Sequence, residues 1–324
     1  MVAVPFILHQ LDRWGPDRSE AVTEAEARVW CRRLAGGHYE NFSVLSRLVP
    51  RGLEPDFAAV YAFCRCADDL GDESGSPQRG AELLGWWRRE LQGCFAGAPA
   101  HPVFVALAPV IVRHQLPIGP FDDLIRAFEL DQTITRCQTW SQLLGYCRLS
   151  ADPVGRLVLM LLGERRDESI FRLSDAVCTA LQLTNHWQDI RRDRLERNRI
   201  YIPQELIAID DFERRLEVSA RQGFGCDHRF LEETRHLVRA LVERTWPLFD
   251  EGRELLEEVA PTSRPVIELF IAGGEHVLSQ IAAWNFETVL HRPRVTAPVK
   301  LWLVTRAMLQ AWRVGRAAAR RSAA

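Results

Sequence analysis

Helix punctuation runs the whole length of this chain, and strand punctuation does not. Thr23-Glu-Ala-Glu26 and Thr139-Trp-Ser-Gln142 are capping boxes, in which the first hydroxyl and the fourth side chain can satisfy each other's orphaned backbone donors. The first box opens a helix expected to stop at Gly36-Gly37. Pro55, Pro102, Pro120, Pro153, Pro203, Pro265 and Pro298 fit near helix starts, where a missing N–H costs nothing. Apolar residues follow at helical spacing, as at Leu173, Val177 and Leu181 and again at Leu237 and Leu241. No alternating apolar and polar run bounded by hairpin turns is found. The pattern predicts a string of roughly ten to a dozen helices. Connections are expected near 36–41, 71–79, 96–101, 115–119, 132–138, 163–167, 194–202, 209–227, 259–264 and 291–297. One all-α domain over 23–324, with an N-terminal extension at 1–22 and a basic C-terminal helix, is the simplest architecture.

Composition allows a large core, with 324 residues of which 47% are hydrophobic and 26% charged. The formal net charge of -2 conceals an asymmetry. From His291 to Ala324 the chain carries Arg292, Arg294, Lys300, Arg306, Arg313, Arg316, Arg320 and Arg321 and no acid, a tail that favours anionic surfaces. The start, MVAVPFILHQLDRW, lacks a basic leader and a small-residue cleavage site, so cytoplasmic residence is expected. No stretch approaches the roughly 18 uncharged apolar residues of a spanning helix, so any membrane contact is expected to be peripheral, at the inner face. No nucleic-acid partner is expected. The eight cysteines are scattered without a CxxC pair and read as core thiols, and the dispersed histidines show no HxxxH or HExxH.

Two acidic spacings stand out. In Tyr61-Ala-Phe-Cys-Arg65-Cys-Ala-Asp68-Asp69-Leu-Gly-Asp72-Glu73, Asp68 and Asp72 fall four apart. On a helix that places both carboxylates on one face, about 5–6 Å from each other. Alone, this is equally an ordinary acidic helix end beside Gly71. A second case, Asn185-His-Trp-Gln-Asp189-Ile-Arg-Arg-Asp193, repeats the spacing downstream and adds Asn185 one turn earlier. Asn185, Asp189 and Asp193 form one polar stripe, continued by Leu181 with Gln182 one position round. Magnesium takes oxygen ligands and is commonly shared between one or two carboxylates and substrate phosphates. Two such pairs suit a diphosphate with two or three Mg²⁺ ions.

Arginine completes the charge pattern. Arg65 precedes Asp68 by three residues and Arg199 follows the second motif, and guanidinium forks take phosphate oxygens bidentately. A local ion pair with the neighbouring aspartate is an equal reading for each, and because lysine is nearly absent outside Lys300, the number of arginines is discounted.

These residues resemble the squalene/phytoene synthase family, the head-to-head prenyl transferases, over most of the chain from about His38 to Arg292-Pro-Arg294. The matching blocks are His38-Tyr-Glu-Asn-Phe-Ser43, Tyr61–Arg65 leading into Asp68–Asp72, Tyr146-Cys147 with Pro153-Val-Gly155, and Ala180–Asn185 leading into Asp189–Asp193 and Arg199-Ile-Tyr201-Ile-Pro203. The family fold is a single isoprenoid synthase helical bundle with a central apolar cavity. Within the family, His38–Phe42, Asp131-Gln132 and Ser150–Gly155 look most like the bacterial hydroxysqualene synthase branch of hopanoid biosynthesis. The loop from Asp193 to Arg199 is about one residue longer than the family's.

The resemblance implies that presqualene diphosphate, supplied by a partner synthase, is ionised and captured by water as hydroxysqualene, which a flavin-dependent squalene reductase consumes. NADPH is not expected. Asp68, Asp72, Asp189 and Asp193 would hold metal, with Arg65, Gln182, Asn185 and Arg199 on the diphosphate. Tyr146, Asp131 and Asn41 are candidates for ordering water or substrate. Phe42, Phe63, Phe128 and Leu157 are candidates for the cavity wall, and plain core packing is an equal reading for them. The alternatives are a squalene, dehydrosqualene or phytoene synthase condensing two prenyl diphosphates, and a non-catalytic assembly factor on the same fold. Apolar positions 301, 304, 308 and 312 with cations opposite also suggest an interfacial helix, or one packed on the bundle.

Overall fold

The computed structural model describes residues 5–38, 48–50, 52–223 and 227–322, the side chains of 37, 38 and 314–322 excepted. Among the described residues it is helical apart from a two-residue antiparallel pair, β1 (Trp14–Gly15) with β2 (Arg18–Ser19), and one isolated bridge between Arg136 and Ile200. The chain gathers into two compact units, one of residues 1–133 with 153–166 and the other of 134–152 with 167–324.

The first unit is built on α2 (Glu54–Asp72), which touches α1 (Glu24–His38), α3 (Pro77–Phe95), α4 (Pro102–His114) and α5 (Gly119–Leu130). The sequence of α2 dictates this place: Phe57, Ala58, Ala59, Val60, Ala62, Phe63, Cys66, Ala67 and Leu70 are all buried, so most of its circumference is apolar and has to be covered. The N-terminal stretch joins this core, with Ile7 fully buried and the Phe6 ring 5.0 Å from Trp30.

The second unit is built on α8 (Glu168–Gln188), which packs on α6 (Trp140–Ser150), α11 (His228–Arg253), α12 (Leu255–Glu258) and α13 (Arg264–Ala283). Close approach is enabled by Gly252 and Gly274. A Cβ on Gly252 would lie 2.5 Å from Val177 Cγ2, and one on Gly274 2.4 Å from a Leu181 methyl. Helices α9 (Ile190–Glu196), α10 (Phe212–Gln222) and α14 (Ala297–Ser322) complete the unit, while α7 (Asp152–Leu162) follows α6 in the chain.

The first capping box forms in full and the second in half. Thr23 N donates to Glu26 Oε2 at 2.9 Å and Glu26 N returns to Thr23 Oγ1 at 3.3 Å. Thr139 Oγ1 accepts from Gln142 N at 3.1 Å, while the Gln142 side chain accepts from Gln138 N at 2.7 Å. Pro55, Pro102, Pro120 and Pro265 sit in first turns. Helix α1 runs through Gly36-Gly37 to His38, past the expected stop, because Gly36 does not take the left-handed conformation that closes a helix. Pro109 and Pro247 lie inside helices, away from the first turns where proline is expected.

Helix α13 has the length and mean apolarity of a membrane span, but Glu268 and Glu275 interrupt it, so the expectation that no uncharged apolar stretch is long enough to span stands. Pro265, Val266, Ile267, Ile271, Gly274, Leu278 and Ile281 are buried against its neighbours in the second unit. Cys31, Cys66, Cys94, Cys137 and Cys147 are buried thiols, and Cys64 and Cys178 are half-buried. Burial pushes the Cys31 thiol up to about 12.

Candidate active site

Each aspartate motif terminates the central helix of its unit. In the first unit, three aspartates occupy the last turn and a half of α2 with different surroundings: Asp68 and Asp72 are half-exposed while Asp69 is fully buried. Arg65, one turn earlier, spans two of them, with Nη1 donating to Asp68 Oδ2 at 3.1 Å and Nη2 2.5 Å from Asp69 Oδ1. The second contact is one of charge: neither Asp69 oxygen receives an aligned hydrogen bond. Burial therefore dominates and pushes the Asp69 carboxyl up to about 6, against the pull of Arg65.

The end of α2 is held by a close packing at Gly71 and Gly80. A Cβ on Gly80 would meet Gln132 Oε1 at 2.7 Å and Gly71 O at 2.9 Å. Gln132 Nε2 in turn donates to Phe128 O at 2.9 Å, so the residues after α5 brace the turn that carries Asp72. Phe128 and the buried Asp131 lie on this brace.

In the second unit the chain bends at Asp189, whose φ -106° and ψ 14° end α8 and begin α9. The backbone ladder still crosses the joint, from Asp189 N to Asn185 O at 2.9 Å and from Asp193 N to Asp189 O at 2.8 Å. The expected stripe Asn185, Asp189, Asp193 thus keeps its spacing but straddles two helices, with Asn185 exposed and the two aspartates half-buried. Arg292 clamps Asp189 with a fork, Nε on Oδ1 and Nη2 2.8 Å from Oδ2. Gln188 Nε2 donates to Pro293 O, which ties the Arg292 segment to the joint. Burial pushes the Asp193 carboxyl up to about 7 and the Asp189 charge adds to this, while Arg197, Arg192 and Arg199 pull it down. Such a pair relaxes when a cation comes between its members.

An aromatic group adjoins this joint. The His186 ring stacks on Tyr201 at 3.9 Å, and Tyr146 lies 5.5 Å from Tyr201 and 6.0 Å from His186. Burial pushes His186 down to about 3, so the ring is neutral. The turn leading to Tyr201 is pinned by Arg136, which donates to Asn198 O at 2.5 Å and Thr135 O at 2.8 Å and grips Glu213 at 2.8 and 2.7 Å. Arg199, buried, donates its backbone N–H to Asp193 O at 2.9 Å.

Compared with known families, residues 35–300 match squalene/phytoene synthase. The chain belongs to that family. Membership makes it a prenyltransferase-type enzyme on an isoprenoid synthase fold. Among curated relatives, it is 38% identical to a hydroxysqualene synthase of Zymomonas mobilis over 53% of this chain and 57% of that one. The match therefore spans little more than half of that relative's length. It is 31% identical to a hydroxysqualene synthase of Rhodopseudomonas palustris over 68% of this chain and 71% of the other. A phytoene synthase of Arthrospira platensis matches at 27% over 89% and 94%. Among solved structures, squalene synthase HpnC from Alicyclobacillus acidocaldarius is 42% identical, with TM-score 0.71, over 82% of this chain and 96% of that one.

On this squalene/phytoene synthase scaffold, the expected residues fall in distinct places. Arg65 pairs with Asp68 in the first unit, with Asp72 one turn further along α2, and Asp189, Asp193 and the Arg199 backbone come together in the second. Gln182 is half-buried about two turns before the joint. Phe63 is a core residue, ringed by Trp87, Phe104 and Phe121 at 6.0, 5.9 and 5.0 Å, and Leu157 is fully buried, which is the packing reading left open for both. Asn41 and Phe42 lie outside the described residues. Arg191 is exposed, while Arg192 donates to Glu196 at 3.1 Å and approaches Asp189 to 3.8 Å.

Arg292, Tyr201, His186, Gln132 and Arg136 were not singled out from sequence as site residues. Tyr201 and Arg292 stood at the edges of matching blocks, and only their contacts give them roles.

Proposed function

We infer that the chain ionises presqualene diphosphate with magnesium and lets water capture the rearranged cation, giving hydroxysqualene and diphosphate. The likeness to squalene synthase HpnC over nearly all of that chain, joined to intact aspartate pairs here, carries the reading. A partner synthase would supply the substrate and a flavin-dependent reductase would consume the product.

The donor set fits magnesium. Among the described residues no three or more His, Cys, Asp or Glu side chains gather as a metal cage. Magnesium bound to a substrate diphosphate needs only one or two carboxylates per ion, with water and phosphate oxygens filling the rest. Asp68 and Asp72 at the end of α2, and Asn185, Asp189 and Asp193 across the α8–α9 joint, supply oxygen ligands of that kind. Bound there, magnesium supplies Lewis-acid stabilisation of the departing charge.

The chain's own groups do the remaining work. The C–O bond to diphosphate breaks with its electron pair on the leaving group, and Arg65, Arg292 and Arg199 are the cations available to oppose that charge. Water then adds its oxygen to the carbocation and loses a proton. No electrons are exchanged with a reductant, so NADPH is not consumed. The ring faces of Tyr146, Tyr201 and neutral His186 suit a cation, at about 0.5–2 kcal/mol for an aromatic face.

Purified protein with Mg²⁺ should turn presqualene diphosphate into hydroxysqualene without NADPH and leave farnesyl diphosphate untouched, as read by mass spectrometry. Consumption of farnesyl diphosphate alone would move the assignment to condensation of two prenyl diphosphates.

A further inference from the structure

Helix α14 is held to the second unit by one side. Leu303 and Ala307 are buried at 7% and 4% exposure where α14 meets α13, and Arg306 pairs with Glu268 of α13 at 2.6 Å. The other side is apolar and open. Leu301, Trp302, Met308, Leu309 and Trp312 are 67%, 58%, 42%, 53% and 57% exposed. At about 100° per residue these five fall in one continuous arc, with Thr305 inside it and Arg306 and Arg313 along one margin. This differs from the stripe expected at 301, 304, 308 and 312, because Val304 turns toward the packed side and is half-buried.

Five large apolar side chains on a single exposed face form a patch of the kind that soluble surfaces reserve for a partner. The charge of the helix selects the partner. From Ala297 to Ser322 there are six cations, Lys300, Arg306, Arg313, Arg316, Arg320 and Arg321, and no acid. A second copy of this helix would bring the same unbalanced positive charge against the first and is disfavoured for that reason. An anionic surface with an apolar interior satisfies both the arc and its margin. Tryptophan at 302 and 312 suits the boundary between headgroups and acyl chains, and the Arg306 guanidinium lies over the Trp302 ring at 5.6 Å.

We propose that the exposed face of α14 lies in the surface of an anionic phospholipid bilayer, with Leu301, Met308 and Leu309 inserted among the acyl chains, Trp302 and Trp312 at their boundary with the headgroups, and Arg306 and Arg313 at the headgroups. The helix lies along the membrane and does not cross it. This goes beyond the reaction proposed above and does not depend on it.

The test floats full-length protein with vesicles of phosphatidylcholine alone, or of phosphatidylcholine mixed with phosphatidylglycerol. It compares the wild type with W302S/W312S and with R306Q/R313Q. Circular dichroism reads the fold of each, and sedimentation equilibrium the oligomeric state. The wild type is expected to partition onto the anionic vesicles at least about tenfold better than onto the neutral ones, and each double variant to lose about tenfold while remaining folded. Partition of folded W302S/W312S equal to wild type would overturn the proposal. So would equal binding to neutral vesicles, or a wild-type dimer that the tryptophan variant dissociates while neither floats.

Discussion

Arg292 grips both carboxylate oxygens of Asp189, with Nη2 2.8 Å from Oδ2, although 103 residues separate them in the chain. A guanidinium fork matches a carboxylate and a phosphate equally well, so the same group can hold Asp189 in place and meet a diphosphate beside it. Arg292→Ala is expected to lower kcat/KM roughly a hundredfold, and Arg292→Lys, which keeps the charge but loses the fork, to fall between. Steady-state kinetics across Mg²⁺ concentrations read both. A wild-type kcat/KM in Arg292→Ala would reduce the contact to a tether.

The brace at Gly71 and Gly80 makes a stability prediction. A methyl at position 80 would lie 2.7 Å from Gln132 Oε1 and 2.9 Å from Gly71 O. The glutamine can swing aside, but the backbone carbonyl cannot. Gly80→Ala is expected to cost about 1–3 kcal/mol, seen as a lower urea midpoint. Adding Gln132→Ala should recover only part of it, and full recovery would mean that the carbonyl contact is harmless.

His101 predicts a pH dependence. Its ring is buried at the start of α4, where Nδ1 accepts from Val103 N at 3.1 Å, and burial pushes it down to about 3 from an ordinary 6.5. The unfolded chain therefore takes up a proton below pH 6.5 that the folded chain refuses until about pH 3. Stability is fully present above 6.5 and falls as the pH drops, by about 1.4 kcal/mol per pH unit once well below that value. His101→Asn keeps a capping acceptor and removes the titration. Its urea-unfolding free energy should decline less steeply than wild type between pH 6.5 and 5, and parallel declines would refute the assignment.

Arg136 stands behind the turn that carries Arg199 and Tyr201. Its partner Glu213 is 43% exposed, so that ion pair contributes under about 1 kcal/mol. The bonds to the Thr135 and Asn198 carbonyls matter more. Arg136→Ala should lower kcat about tenfold and Glu213→Ala much less. Equal effects would locate the role in the ion pair.

How much of this could be read in the residues alone depends on the range of the interaction. Helix starts were legible because their signals are local: Thr23 and Glu26 lie three apart and answer each other, and Thr139 Oγ1 caps Gln142 N at the same spacing. The i, i+4 spacing of Asp68 with Asp72 and of Asp189 with Asp193 was legible for the same reason. The bend at Asp189 was not, since nothing nearby in sequence marks it and the residue that clamps it is Arg292. Phe63 showed the opposite limit. Its place beside Arg65 suggested a site, but three aromatic rings from other helices enclose it in the core. Of the expected face of α14, positions 301, 308 and 312 are exposed, while Val304 was misplaced and Trp302 and Leu309 were missed, because which side of an amphipathic helix is covered depends on where its neighbour α13 lies.

The central claim is that the four outer aspartates draw diphosphate from presqualene diphosphate through magnesium. The most direct measurement is diphosphate release from that substrate by wild type, Asp68→Asn and Asp189→Asn, each checked for folding, with Mg²⁺ and without NADPH. The wild type is predicted to release diphosphate together with hydroxysqualene, and each folded variant to lose about a thousandfold or more in rate. Wild-type release rates in both folded variants would contradict the account.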